Sequence, residues 1–185
     1  GKSYEISIFG SHNLKNLNGA RLICEQIGIE ASEFYASIQD FKGAAKRLEL
    51  VKDKGDSIIY KDFAHAPSKV KATTEAVKQQ FPNRKLFACL ELHTFSSLNP
   101  AFLPQYEGTL NLADEAVIFL SEHARAIKKM DKLEESTVQN YFKHPNLTVI
   151  RTKEDLQNFL HTKNWTNTNL LMMSSGTFDG ISFQE

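Results

Sequence analysis

The sequence has no surplus charge of either sign: 22 Lys and Arg stand against 22 Asp and Glu, for a formal net charge of zero. That balance removes the electrostatic footprint expected of a protein that binds nucleic acid or an anionic membrane. No basic stripe restores it. Long apolar runs are missing as well: nothing nears the ~20 residues of a membrane span. No signal peptide is recognisable. Cysteine is scarce. Cys24 and Cys89 lie in apolar stretches without a second Cys or His at metal-ligand spacing, so buried free thiols in a reducing cytoplasm are expected, and no metal site. His12, His65 and His93 contain no i, i+4 pair that would suit zinc. No Gly-x-Gly-x-x-Gly follows a strand, which argues against a dinucleotide-binding dehydrogenase. No Gly-x-x-Gly-Lys-[Ser/Thr] occurs either, so the chain brings no phosphate-cradling loop of its own. Internal repeats and low-complexity tracts are absent.

What is present is ordinary and sufficient for a domain. With 185 residues, 41% hydrophobic and 24% charged, the chain can bury a core of its own. Tyr4 to Phe9 alternates and reads as a strand, broken at Gly10; Ser11 suits an N-cap. Leu14, Leu17, Ala20, Cys24 and Ile27 then recur at helical spacing up to Gly28. A second short helix carries Phe34, Ile38 and Phe41 and closes at Gly43. Beyond it, Arg47 to Val51 and Ser57 to Phe63 read as strands joined by Asp53-Lys54-Gly55-Asp56. Pro67 opens a helix with Val70, Thr74, Val77 and Phe81 on its buried face. Leu86 to Leu92, Ala116 to Leu120, Leu147 to Ile150 and Leu170 to Met173 are short, nearly continuous apolar strands, and Lys153 to Leu160 is a helix. Such strands, separated by helical stretches, predict an α/β fold: a Rossmann-like, mostly parallel sheet with helices on both faces. Residues 1–43 are expected to be a short helical unit preceding it, and residues 44–185 the α/β domain.

Ligands in open α/β sheets gather beyond the carboxyl ends of the strands. Those ends read Asp62-Phe63-Ala64-His65, His93-Thr94-Phe95-Ser96, Ser121-Glu122-His123 and Ser174-Ser175-Gly176-Thr177-Phe178-Asp179. All are polar, which by itself is common.

Three segments say more. Phe9-Gly10-Ser11-His12-Asn13-Leu14-Lys15-Asn16 resembles the G-x-H-N-x-x-N signature that closes the ATPase domain of Mur ligases. Phe41-Lys42-Gly43-Ala44-Ala45-Lys46-Arg47-Leu48-Glu49 resembles that family's F-x-G-x-x-x-R-x-E junction into its C-terminal domain, and Asp62-Phe63-Ala64-His65-Ala66-Pro67 its D-[YF]-[AG]-H-x-P motif. The resemblance runs over nearly the whole chain, with the motifs in order and at fitting distances. It implies that 1–43 is the end of the central ATPase domain and 44–185 the C-terminal, substrate-binding domain.

Mur ligases phosphorylate a carboxylate with ATP and let an amine attack the acyl phosphate. The resemblance therefore implies ATP and Mg2+ as cofactors and UDP-N-acetylmuramate with an amino acid or peptide as substrates, in the bacterial cytoplasm. It also implies partner surfaces on the ATPase and UDP-binding domains of the same polypeptide. It places His12, Asn13, Asn16, Arg47 and Asp62 at ATP. Amide and imidazole groups suit an adenine edge, a guanidinium fork suits phosphate, and a carboxylate suits ribose hydroxyls. Equally, Asn13 or Asn16 could cap the helix and Asp62 could serve the turn before Pro67. His65, His93, Ser96, Ser174 and Phe178 fall on the substrate side.

The tail from Leu170 to Ile181, with Met173-Ser174-Ser175-Gly176-Thr177-Phe178-Asp179-Gly180-Ile181, resembles the M-S-N-G-x-F-x-G-I ending of one branch. That branch joins L-alanyl-γ-D-glutamyl-meso-diaminopimelate to UDP-N-acetylmuramate, and Glu91 fits its E-P-R-S-N-T segment. The sequence departs from it where Leu92 to Ser97 lacks proline and arginine, at Ala66 in place of a second histidine, and at Lys46 in place of arginine. A branch that joins free L-alanine and a non-catalytic nucleotide- or muropeptide-binding module are the alternatives. No catalytic residue is expected within the chain, which alone should not turn over ATP.

Overall fold

The computed structural model describes residues 3–181. Its sheet is built from β1 (Glu49–Asp53), β2 (Ile58–Asp62), β3 (Lys85–Glu91), β4 (Glu115–Phe119), β5 (Leu147–Ile150) and β6 (Thr168–Met173). The order across the sheet is β1-β2-β6-β3-β4-β5. Only the β1–β2 hairpin is antiparallel; the other four pairings are parallel. The mostly parallel α/β sheet expected from the apolar strands is what the chain forms, with those strands within two residues of their predicted bounds.

Alternation along each central strand supplies two cores. Leu86, Ala88 and Leu90 of β3 share one face with Ala116 and Ile118 of β4. That face lies under α3 (Pro67–Gln80) and α5 (Glu135–Phe142), through Val70, Val77, Val138 and Phe142. Phe87, Cys89, Val117 and Phe119 point the other way, beneath Leu156 and Leu160 of α6 (Lys153–His161). Each such side chain contributes about 1.5–3 kcal/mol by leaving water, so the sheet interior dominates the stability. Helix starts follow local chemistry. Pro67 opens α3, where its missing N–H costs nothing. The Ser121 hydroxyl accepts the Ala124 N–H to cap α4 (Glu122–Lys128), and the Thr152 hydroxyl accepts the Asp155 N–H to cap α6.

Four expectations are corrected. Tyr4 to Phe9 is not a strand: no ladder partner reaches it among the described residues. Instead Tyr4 stacks on Tyr35, and Phe9 packs edge-on against Tyr60 and Phe81. Gly10, not Ser11, precedes the first turn of α1 (Ser11–Gln26), with φ of 89°. A Cβ at Gly10 would lie 2.8 Å from Cβ of Ala76, so glycine lets α1 start against α3. The apolar stripe of α1 is not a buried face: no residue of α1 is buried, and Ile27 stays 73% exposed. Period reveals which face is apolar but not whether anything covers it, and α1 touches only α2 (Ala31–Ser37) and α3 appreciably. Phe41 falls beyond α2 and is exposed, while Cys24 is only half-buried.

Two carboxylates predict how the fold responds to acid. Burial would raise the Asp114 carboxyl, but the Leu86 N–H (2.8 Å) and Lys78 ammonium (3.0 Å) outweigh it and hold it low. Hydrogen bonding from Arg125 holds Glu122 low despite its partial burial, with Arg151 adding to it. Carboxyls depressed by folding stabilise above their unfolded values and lose that contribution as pH falls through the folded ones. Urea midpoints should therefore drop as pH is lowered below 4.5 and then 3.8. Asp114→Asn with Glu122→Gln should flatten that drop.

Candidate functional site

All five parallel strands end at one edge of the sheet. From β3 the chain steps outward through β4 to β5, then returns to insert β6 between β2 and β3. The carboxyl ends of β3 and β6 thus flank the point where strand order reverses, and β2 with its hairpin lies beyond them. Two clefts open along this edge.

The first lies between α1, the 43–48 turn and the start of α3, with a volume of about 370 Å³. His12, Asn13, Asn16, Arg47 and Asp62 all line it, together with Lys69 and Thr73. Motif residues up to 50 positions apart, His12 and Asp62, thus meet in one cleft. Their availability differs. The Arg47 guanidinium is exposed and has no carboxylate partner among the described residues; its nearest interaction is the Phe63 ring, 6.0 Å to the centroid. The Asn13 amide donates to the Phe9 carbonyl (3.0 Å), tying the incoming chain to the helix and leaving its oxygen free. Asn16 is exposed and open. Burial pushes the His12 imidazole below its usual value; Asp62 opposes that, while Lys69 and Arg47 reinforce it. His12 is therefore a neutral donor and acceptor at neutral pH.

Asp62 is the most constrained member, at 3% exposure. One carboxylate oxygen accepts the Leu48 N–H (2.8 Å) and the other the Ala64 N–H (2.7 Å). The turn that it holds is strained: Lys46 and Leu48 both take left-handed backbone, with φ of 55° and 47°. The turn is further held where Phe63 N–H donates to Lys46 O. Asp62 therefore fixes the segment that presents Arg47, whatever else it touches. Burial raises its carboxyl; the Leu48 and Ala64 N–H groups, His12 and Arg47 only partly offset that.

The second cleft, about 810 Å³, lies over the ends of β3, β4 and β6. Glu91, His93, Glu122, Arg151, Lys153 and Asp179 are among its walls. Of the predicted substrate-side residues, only His93 presents its side chain there. Ser174 sits beneath, buried, donating its hydroxyl to Glu91 and accepting the Gly176 N–H. Phe178 contributes its backbone, donating its N–H to Glu91 (2.9 Å), while its ring is in the core beside Phe119. His65 and Ser96 lie elsewhere. The His65 ring bonds to the Phe63 carbonyl, and its own carbonyl accepts the Tyr106 hydroxyl (2.5 Å). Burial lifts that Tyr106 hydroxyl to about 12, so it stays a donor. Ser96 belongs to an exposed turn with Thr94.

No motif distinguishes Lys69, Lys153 or Arg151 from solvated surface, and Asp179 stood out only as part of a polar strand end. Glu91 carried a signal, being the only carboxylate in the apolar run from Leu86 to Leu92. The close approach at Gly176 was not legible: a Cβ there would lie 2.8 Å from Glu91 Oε2 and 2.9 Å from His93 Cγ and Nδ1. Because Glu91 is pinned by two donors, Gly176→Ala should cost about 1–3 kcal/mol. Chemical denaturation would read that loss, and the His93 resonances should move with it.

The chain is thus an open, mostly parallel α/β sheet with two polar clefts along the carboxyl edge of its strands. No family model matches the sequence. The UDP-N-acetylmuramate–L-alanine ligase of Ligilactobacillus salivarius is 31% identical over 129 residues, covering 70% of this chain and 28% of that protein. Among solved structures, a UDP-N-acetylmuramate–alanine ligase from Thermotoga maritima superposes with a TM-score of 0.73 at 15% identity, over 97% of this chain and 38% of that one. A murein peptide ligase from Psychrobacter arcticus gives 0.64 at 23% identity, over 96% and 36%. The chain belongs to the Mur ligase family. It spans about a third of the length of the curated relatives it matches.

Proposed function

We propose that this chain is the C-terminal portion of an ATP-dependent amide ligase of peptidoglycan synthesis or recycling. It would act in the bacterial cytoplasm, with residues 1–43 closing the ATPase domain and 44–185 forming the substrate domain. The observation that carries the reading is the convergence of His12, Asn13, Asn16, Arg47 and Asp62 on one cleft. The donors fit an adenine nucleotide. Asn13, Asn16 and neutral His12 offer acceptors and donors to a base edge. Arg47 and Lys69 offer unneutralised cations to phosphate, and Asp62, which lines the cleft, would offer its remaining lone pairs to a ribose hydroxyl. When bound, ATP supplies the phosphoryl group that activates a carboxylate, and Mg2+ held mainly by residues outside this chain would screen its charge. The second cleft would receive the amine component beside His93.

For the amine we favour L-alanyl-γ-D-glutamyl-meso-diaminopimelate joined to UDP-N-acetylmuramate. The Ser174-to-Ile181 tail and Glu91 support it, as does a cleft with walls of both charge signs. The names of the curated relatives favour a second reading, free L-alanine. Competition settles the choice: a longer protein carrying this chain, given both amines, should incorporate the tripeptide preferentially. Preferential use of alanine would move it to the second reading. The 185 residues alone should form no amide, because their sequence includes no phosphate loop.

A further inference from the structure

Glu91 is a buried carboxylate, 1% exposed, with no Lys or Arg against it among the described residues. Burying an unpaired carboxylate is costly unless hydrogen bonds and a partner charge compensate it. Two hydrogen bonds are present, both on Oε2, from the Ser174 hydroxyl and the Phe178 N–H. Oε1 is left facing His93 Nδ1 at 3.5 Å. That Nδ1 is itself buried and makes no hydrogen bond. Nε2 makes none either among the described residues, yet the ring is a third exposed and forms the cleft wall. Gly176 closes over the pair without room for a Cβ.

We propose that Glu91 is a positioning residue that holds His93 with its proton on Nδ1, so that Nε2 faces the cleft as a proton acceptor. The inference rests on the ligase reading. A 3.5 Å approach is one small contraction from a hydrogen bond, a separation common in sites that tighten on substrate binding. A carboxylate opposite Nδ1 selects the Nδ1–H tautomer and leaves the Nε2 lone pair free. In amide formation the incoming ammonium gives one proton to His93 Nε2. The freed nitrogen lone pair bonds to the acyl carbon. The carbon–oxygen bond to phosphate breaks, its electrons leaving with the phosphate, which takes the second N–H proton. His93 is then the catalytic residue and Glu91 orients it.

Other charges face the same space. They are Glu122, His123 and Lys128 from α4, Arg151, Lys153 and Glu154 from the β5–α6 junction, and Asp179 after β6. Glu122 is already paired with Arg125 and Arg151, and Asp179 accepts the Ser121 hydroxyl. That leaves Glu91 as the carboxylate in contact with the ring.

The test is the tautomer of His93 in the 185-residue chain, read by imidazole nitrogen NMR and assigned with His93→Gln. Wild type should show Nδ1–H at high pH, against the Nε2–H preference of free histidine. Glu91→Gln should shift the ring toward Nε2–H, because no carboxylate then stands opposite Nδ1. Nε2–H in wild type, or an unchanged tautomer in a folded Glu91→Gln chain, overturns the proposal. Should that variant not fold, the wild-type tautomer decides alone. A longer protein that makes no amide would sink the ligase reading and leave this measurement standing.

Discussion

Asp62→Ala should lower the stability of the 185-residue chain by about 2–6 kcal/mol, from two buried N–H groups left without their acceptor at about 1–3 kcal/mol each. The groups are those of Leu48 and Ala64, and the loss falls on a turn already strained at Lys46 and Leu48. A carboxylate that served only the nucleotide, as the resemblance implies, would weaken ATP use when replaced by alanine at little structural cost. Geometry reverses the second half of that expectation, because the carboxylate is engaged by backbone before any nucleotide arrives. Asp62→Asn keeps one acceptor and should lose less. The pH sign is also distinctive. Since burial raises this carboxyl, its contribution is greatest below its usual 3.8 and declines as pH rises through the folded value, opposite to Asp114 and Glu122. Urea titrations of wild type and Asp62→Asn at several pH values would separate the two behaviours. An alanine variant as stable as wild type would mean that Leu48 and Ala64 find other acceptors.

Arg47→Ala should behave in the opposite manner. The side chain is exposed and touches little beyond the Phe63 ring, so stability should change by only about 0.5 kcal/mol, as for most surface substitutions. In a longer protein with the ATPase domain, its loss should weaken nucleotide use about 10–100-fold, the worth of one or two charge-assisted hydrogen bonds to phosphate. Arg47→Lys should restore only part of this, because a point charge cannot reproduce a planar fork. Calorimetric titration with ATP and steady-state kinetics both read the effect. Unchanged affinity in a folded Arg47→Ala protein would remove the guanidinium from the phosphate.

Those contrasting variants show what the sequence could carry. β3, β4, β5 and β6 were legible because unbroken apolar runs bounded by polar residues survive any choice of neighbours. Their order was not, since the insertion of β6 between β2 and β3 depends on long-range pairing that no local pattern encodes. α4 and α5 were passed over because they are short and weakly patterned, Ala124 being the only buried residue of α4. Tyr4 to Phe9 misled because alternation promises a strand only where a ladder partner exists. In the first cleft the motif residues were found together, but not how they divide the work. Asn13 and Asp62 spend hydrogen bonds on backbone, while Arg47 spends none. In the second cleft, residue type nominated Ser96 and Phe178, and burial reassigned one to a surface turn and the other to the core.

The proposed function requires a purine nucleotide in the Asn13–Arg47–Asp62 cleft. The most direct measurement is a crystal structure, bound to ADP, of a longer protein that includes the ATPase domain. It should show the base edge against Asn13 or Asn16 and the Arg47 fork on a phosphate oxygen. A nucleotide seated beyond hydrogen-bond reach of all three would contradict the assignment.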